Sequence, residues 1–462
     1  MHSLADMMRG TRREWRPMLR LAGPVALGEL GWMAMGLVDT MMVGRVGPEA
    51  IGAVAIGSHL FFVIAITGIG MLLGLDYLVA HAYGAGRLDE ARRALVQGLY
   101  LSVALTAVLT LVVLALDANL TRLGLQPAVA AATRPYLRAL LWSLLPLLLY
   151  ATLRRYLQAL GQVRAIMLAL LSANIINVLV NWLLVFGHCG FPRLGAAGSG
   201  WATTAARVYL FLFLLIAWLR YERRHGQGLR LLWRLDLGRL RQVVRLGLPA
   251  AIQVLLECGV FAVATVLAGG LTATALAAHQ IALSAAAFTF MVPLGISSAA
   301  AVRVGQARGR GDIAAAGAAG WTALLLSAGF TVVAALLFVC APGAIVRVFT
   351  TVPEVIETAV TLLAIAAMFQ LFDGLQVVAT GALRGFGDTR TPMLANLAGH
   401  WLFGLPIGAA LCYRAGWGVT GLWIGLCIGL VAVSILLIAV WRLRTAAPAT
   451  RAAHALIVEP RA

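Results

Sequence analysis

The sequence contains no lysine. All 36 basic residues in its 462 positions are arginine. A Walker-type phosphate loop ends in a lysine, and imine catalysis needs a lysine amine. The chain therefore does not burn ATP in that way or form Schiff bases. Charge is scarce as well: 12% of residues are charged, against about 25% in soluble domains. The five cysteines, Cys189, Cys258, Cys340, Cys412 and Cys427, include no CxxC pair and fall mostly within or beside apolar runs. They read as packing residues rather than disulfides or metal ligands. There is no HExxH and no closely paired aspartates, so a membrane-embedded enzyme is disfavoured.

What is abundant is apolar sequence. Hydrophobic residues make up 61% of the chain, and the mean hydropathy is +0.91. Twelve stretches between residues 21 and 441 approach the roughly 20 apolar residues a bilayer span needs; the fourth lies at 135–153. The expectation is an all-α membrane protein of twelve transmembrane helices. A net charge of +18 would suggest nucleic acid in a soluble protein. Here the arginines sit in short connections between apolar runs, so no nucleic-acid partner is expected. Connections on one side, with both termini, hold 28 of them, and the other side holds six. The positive-inside rule then puts both termini in the cytoplasm of a plasma membrane, the inner membrane in a bacterium. The basic N-terminus leads into a full-length span without an obvious cleavage site and reads as a first helix.

The longest polar interruption, 220–242, divides the chain into lobes at 1–219 and 243–441, with a tail at 442–462. The halves look like copies. YGAGRLDEARRA after the second stretch matches QARGRGDIAAAGAA after the eighth, with Asp89 on Asp312 at a shift of 223. GQVRAIM matches GDTRTPM at a shift of 226. Six spans per copy preserve orientation, which implies two six-helix bundles related by a pseudo-two-fold axis along the membrane normal, with a cavity between them. That is a transporter pattern.

Intramembrane carboxylates are functional candidates by default, because burying a charge in hydrocarbon costs several kcal/mol. Glu257 lies midway along PAAIQVLLECGVFAVATV, flanked by Gln253, Cys258 and Phe261, with no basic residue within a turn. Asp373, in FQLFDGLQVVATG, adds a second buried acid to the same half. Such a pair can take up a proton or a sodium ion. Asp39, in GLVDTMMVGR, is either the cation site of the first half or a helix end paired with Arg45. Asn174, Asn177 and Asn181 share one helical face and could supply neutral oxygens beside it, or simply hold helices together. Asp76 is evenly balanced between roles. His59, His279 and His400 read mainly as packing residues.

The segments VDTMMVGR, LVAHAYGAGR, LLECGVFAV, AAHQIAL (with His279 and Gln280), VRVGQARG and FDGLQVVATGALRGFGDT resemble the NorM-type branch of the multidrug and toxic compound extrusion (MATE) family. The resemblance implies a two-lobed, twelve-helix antiporter that exports bulky organic cations in exchange for Na+ or H+. It needs no cofactor, and its partners are membrane lipid and the exported small molecules; a monomer is expected. Position by position, Glu257 and Asp373 resemble the second-lobe cation carboxylates, and Asp39 the first-lobe one, with Asn177 and Thr203 as polar neighbours. Asn181 stands where some members have an aspartate, and Phe369 where relatives can have a tyrosine. A lipid-precursor flippase or metabolite exporter of the same superfamily is the alternative. A flippase would favour a cavity rich in arginine, and only Arg138 and Arg207 fall within the expected spans.

Overall fold

Apolar residues recur all round these segments, as they must where both core and lipid are apolar, and helix is the structure that satisfies its own backbone there. A computed structural model describes residues 4–123, 127–224 and 233–446. The expected connection 220–242 and tail 442–462 therefore lie partly outside the described residues. The helices are α1 (Leu4–Val43), α2 (Pro48–Leu72), α3 (Gly74–Gly84), α4 (Leu88–Asn119), α5 (Pro127–Leu141), α6 (Leu144–Ala159), α7 (Val163–Phe186) and α8 (Ala196–Arg224). After these come α9 (Leu237–Gly269), α10 (Ala273–Gly309), α11 (Ile313–Cys340), α12 (Pro342–Arg347) and α13 (Pro353–Gly385). The last three are α14 (Arg390–Asn396), α15 (Leu405–Tyr413) and α16 (Gly418–Thr445). A π-helical segment, Leu397–Gly404, joins α14 to α15.

Among the described residues, 11 spans are long and apolar enough to cross a membrane, and 12 if the bent pair α5–α6 counts as one. That pair corrects the bounds of the span expected at 135–153. It starts at Pro127, ends at Ala159 and bends by 45°. Pro135 removes one backbone donor before the bend. At the bend, the Ser143 hydroxyl donates to Leu140 O at 2.5 Å.

A second correction concerns arginine. Arg154 and Arg155, expected in a connection, are buried on α6. Arg154 donates to Glu29, and Arg155 lies 3.6 Å from Asp76. Arg92 is also buried, donating to Glu222 at 2.9 Å, while the Tyr156 hydroxyl donates to the other Glu222 oxygen at 2.8 Å. Neutralised in pairs, these charges can stay in the protein interior. Charge counting along a sequence cannot see such partners.

Four turns display the internal repeat in backbone detail. Each closes a helix with a left-handed glycine: Gly86, Gly161, Gly311 and Gly387 all have positive φ. In each, the following residue's amide donates five positions back: Arg87 to Ala82, Gln162 to Leu157, Asp312 to Ala307 and Asp388 to Leu383. This is a Schellman-type closure. Asp312 then caps α11 by accepting from Ala315 N at 2.8 Å.

Two compact units emerge, Leu27–Leu255 and Leu256–Ala462 with Met1–Ala26. They divide the chain differently from the expected lobes 1–219 and 243–441. The first part of α1 packs with the second half of the chain: Glu14 takes a bidentate contact from Arg303 at 2.7–3.0 Å, and Met18 is fully buried there. The first part of α9 packs in the other unit, where Gly247 meets Met71 and Gly74 meets Val243. In the first unit α7 packs on α8 and α5 on α2 and α8; in the second α10 packs on α13 and α11, and α16 on α13 and α15. Large apolar side chains such as Leu111, Ile175 and Val339 are exposed, which suits a lipid-facing surface.

Candidate functional site

In the unit Leu27–Leu255, Asp39 is buried near the end of α1 with a full set of donors. Asn177 and Asn181 of α7 donate to its Oδ1 at 3.0 and 2.7 Å, and the Thr203 hydroxyl of α8 donates to Oδ2 at 2.6 Å. Asn177 and Asn181 are four apart and so face the same way on α7. The tight packing of α7 on α8 brings Thr203 onto the other carboxylate oxygen. The amide oxygens of both asparagines remain buried without a hydrogen-bond partner. Buried acceptors of that kind are hard-cation ligands or water sites.

Asn174 does not join them. Its side-chain amide donates to Gly31 O at 2.9 Å and Leu170 O at 2.8 Å. Seven residues from Asn181, it sits two turns away, so only two of the three asparagines reach Asp39. Asp76 is likewise held elsewhere, beside Arg155.

Arg207 was the missed neighbour. It sits one turn after Thr203 on α8, and its charge acts on Asp39 and Tyr136. Its guanidinium donates to the Ser143 hydroxyl at 2.6 Å and lies 4.9 Å from the Phe61 ring centre. Tyr136, in turn, shares a 2.8 Å hydrogen bond with Ser58. The signal was present in the sequence as an in-span arginine at i+4 from Thr203, but the separation of 168 residues from Asp39 hid it.

In the unit Leu256–Ala462, Asp373 is buried on α13 and Glu257 is half-buried on α9. After burial itself, the influence that Asp373 feels is the charge of Glu257. Asp373 thus feels the charge of another acid, whereas Asp39 is held by three donors with the charge of Arg207 acting on it as well. Aromatic rings stand close by. Phe369 packs edge-on to Phe261 at 5.9 Å and to Trp423 at 5.6 Å. Phe369 is 2% exposed, so its ring serves this cluster. Gln253, one turn before Glu257 on α9, is buried but falls in the unit Leu27–Leu255.

His279 and His400 are held in the interior, whereas His59 is exposed, its Nδ1 2.8 Å from Ala55 O. Trp423 Nε1 donates to His279 Nδ1 at 3.0 Å, which leaves Nε2 to carry the proton toward the Thr265 hydroxyl, 3.0 Å away. That hydroxyl donates to Phe261 O at 2.9 Å. His279 is thus fixed as a neutral packing group. Gln280, the next residue, is exposed and takes no part in the cluster. His400, in the π-helical segment, meets Gln376 at 3.3 Å, and Gln376 donates to Asn396 at 3.2 Å. Among the described residues, no group of three or more His, Cys, Asp or Glu side chains is arranged to hold a metal ion.

The MatE family pattern matches residues 24–183 and again 249–410, one copy in each half. A probable multidrug resistance protein NorM of Mesorhizobium japonicum is 38% identical over 438 residues, covering 93% of this chain and 94% of the relative. A multidrug resistance protein NorM of Burkholderia vietnamiensis is 38% identical over 430 residues, covering 92% of each chain. Among solved structures, a eukaryotic MATE transporter superposes with a TM-score of 0.84 at 21% identity, over 94% of this chain and 98% of its own. An outward-facing multidrug resistance MATE transporter gives 0.85 at 20% identity, over 93% and 95%. With its repeated pattern, its all-helical fold and these relatives, the chain belongs to the MATE family.

Proposed function

We propose that this chain is a cation-coupled exporter of organic, mostly cationic compounds, working as a monomer in exchange for Na+ or H+. The observation that carries the reading is a pair of acids in one unit, Asp373 buried on α13 and Glu257 half-buried on α9, beside an aromatic cluster. The names of the relatives, multidrug resistance proteins, supply the substrate class. The arginine bias supports an orientation with both termini cytoplasmic, in the inner membrane where the cell is bacterial. No covalent step and no cofactor is part of the reading.

Two acids in a low-dielectric setting repel one another when both are charged. A proton, a sodium ion or a cationic drug each relieves that repulsion. Aromatic faces favour an organic cation further. Ion and drug therefore compete for the same negative charge, and that competition is a coupling free energy between them. An ion arriving from outside weakens the hold on drug where the drug has to leave.

The test is dye efflux from vesicles under separately imposed sodium and proton gradients. Glu257→Gln keeps the shape and removes the charge. It is expected to abolish ion-driven export while the protein still reaches the membrane, and adding Asp373→Asn should cost little more. Wild-type transport by Glu257→Gln, with unchanged ion dependence, would overturn the mechanism.

A further inference from the structure

Three spans end around one small cavity in the unit Leu27–Leu255. It has a volume of about 160 Å³ and is lined by the end of α3, the first turns of α4 and the start of α9. Its floor is apolar, with Ala82, Ala94 and Val243 buried. Its rim carries a carboxylate, Glu90, and a guanidinium, Arg239, with Gln242 and the rings of Tyr77 and His81. Each rim charge already has one counter-ion on its own helix or just before it. Arg87 lies 3.2 Å from Glu90, and Asp236 lies 3.2 Å from Arg239. The rim is thus neutral in sum but has one pole of each sign. A ligand of single charge gains at one pole and loses at the other. A zwitterion gains at both.

The position is equally specific. Tyr77 and His81 lie in the last two turns of the span Pro48–Gly84. Glu90 lies in the first turn of Leu88–Asn119, and Arg239 in the first turn of Leu237–Gly269. That is the depth at which an apolar span gives way to headgroups. Beside Arg239, the segment 233–237 exposes Trp233, Leu235 and Leu237. It is pinned to α4 by Gln97, which donates to Arg234 O at 2.9 Å and accepts from Asp236 N at 3.1 Å. The Tyr100 hydroxyl donates to Trp233 O at 3.0 Å. An exposed Trp with two leucines, held rigidly at a span boundary, is a surface for acyl chains and glycerol.

We infer that this cavity is a binding site for a phosphate–ammonium zwitterion, taken as the headgroup of phosphatidylethanolamine. The ammonium sits at Glu90 against the Tyr77 ring, as cations do on aromatic faces. The phosphate takes the free edge of the Arg239 guanidinium and the Gln242 amide. The acyl chains leave along Trp233, Leu235 and Leu237. The site is independent of the transport reading and would stand if that reading fell.

Full-length protein is purified in detergent, and its melting is followed while phosphatidylethanolamine, phosphatidylglycerol or soluble phosphoethanolamine is added. Phosphatidylethanolamine is expected to raise the melting temperature at lower mole fraction than phosphatidylglycerol. In Glu90→Gln or Arg239→Gln, losing one charge-assisted contact should shift that response roughly tenfold to higher lipid. Stabilisation by phosphoethanolamine alone, as strong as by the lipid, would keep the zwitterion chemistry and make a soluble molecule its source. Equal stabilisation by the two lipids, or an unshifted response in both variants, overturns the proposal. A wild-type measurement covers the case in which the variants fail to fold. Phosphatidylethanolamine with a photoactivatable headgroup should crosslink between Tyr77 and Glu90 or between Arg239 and Gln242, and labelling elsewhere only would overturn the site.

Discussion

Asp39 shows how one carboxylate can be built into a membrane helix at acceptable cost. Its three donors come from two helices, and hydrogen bonds to a charged acceptor are worth about 1.5–3 kcal/mol each. Thr203→Val keeps the shape and deletes the shortest of the three, at 2.6 Å. That variant is expected to melt earlier by an amount equal to one such bond, with efflux reduced, and Thr203→Ser should restore both. An unchanged melting temperature would mean that the hydroxyl contributes nothing to holding Asp39. Asn177 and Asn181 were legible as partners because helical period alone puts them on one face. Arg207 was not, because it lies on another helix, brought near by packing.

Within each unit, a glycine on one span touches the backbone of another helix, α9 or α1. Gly70 is against Ala251, and Gly295 is against Ala26, an equivalent pair in the internal repeat. A Cβ at Gly247 would lie 1.9 Å from Met71 O, and one at Gly74 would lie 2.5 Å from Val243 O. Small residues allow backbones to approach this closely, and in lipid such packing substitutes for a hydrophobic driving force. Gly247→Ala is therefore expected to destabilise by about 1–3 kcal/mol or more, seen as lost monodisperse protein and early melting. Gly329→Ala is the contrast. Nothing lies within 4 Å of its added methyl on α11, so it should be neutral or gain up to about 1 kcal/mol of helix propensity. Equal behaviour of the two variants would sink the close-approach argument. The sequence shows where glycines are; only packing separates the indispensable ones from the replaceable ones.

For the whole molecule, the arginine bias makes a prediction about sidedness. Cys189 is exposed in the turn between α7 and α8, a connection on the arginine-poor side. With the other four cysteines replaced, Cys189 is expected to react with a membrane-impermeant maleimide in intact cells. Labelling only after permeabilisation would reverse the assigned orientation. The bias holds although three of the arginines behind it, Arg92, Arg154 and Arg155, are buried in ion pairs. Such pairs form after insertion, whereas the bias acts as the chain enters the membrane.

The sequence by itself determined the class, the repeat and the buried acids. Apolar runs of bilayer length admit little but helix, and a duplicated segment leaves the same turn glycines at nearly the same interval. An acid in an apolar run stands out because burial makes it costly. Tertiary structure alone decided the partners. Glu29 and Asp76 found arginines on α6, Asn174 turned to Gly31, and Phe369 entered an aromatic cluster. It also decided that the opening parts of α1 and α9 pack outside the halves in which the sequence places them. Periodicity orients a side chain about its own helix axis, whereas these outcomes depend on which other helix lies opposite, and that is set by packing between segments far apart in the chain.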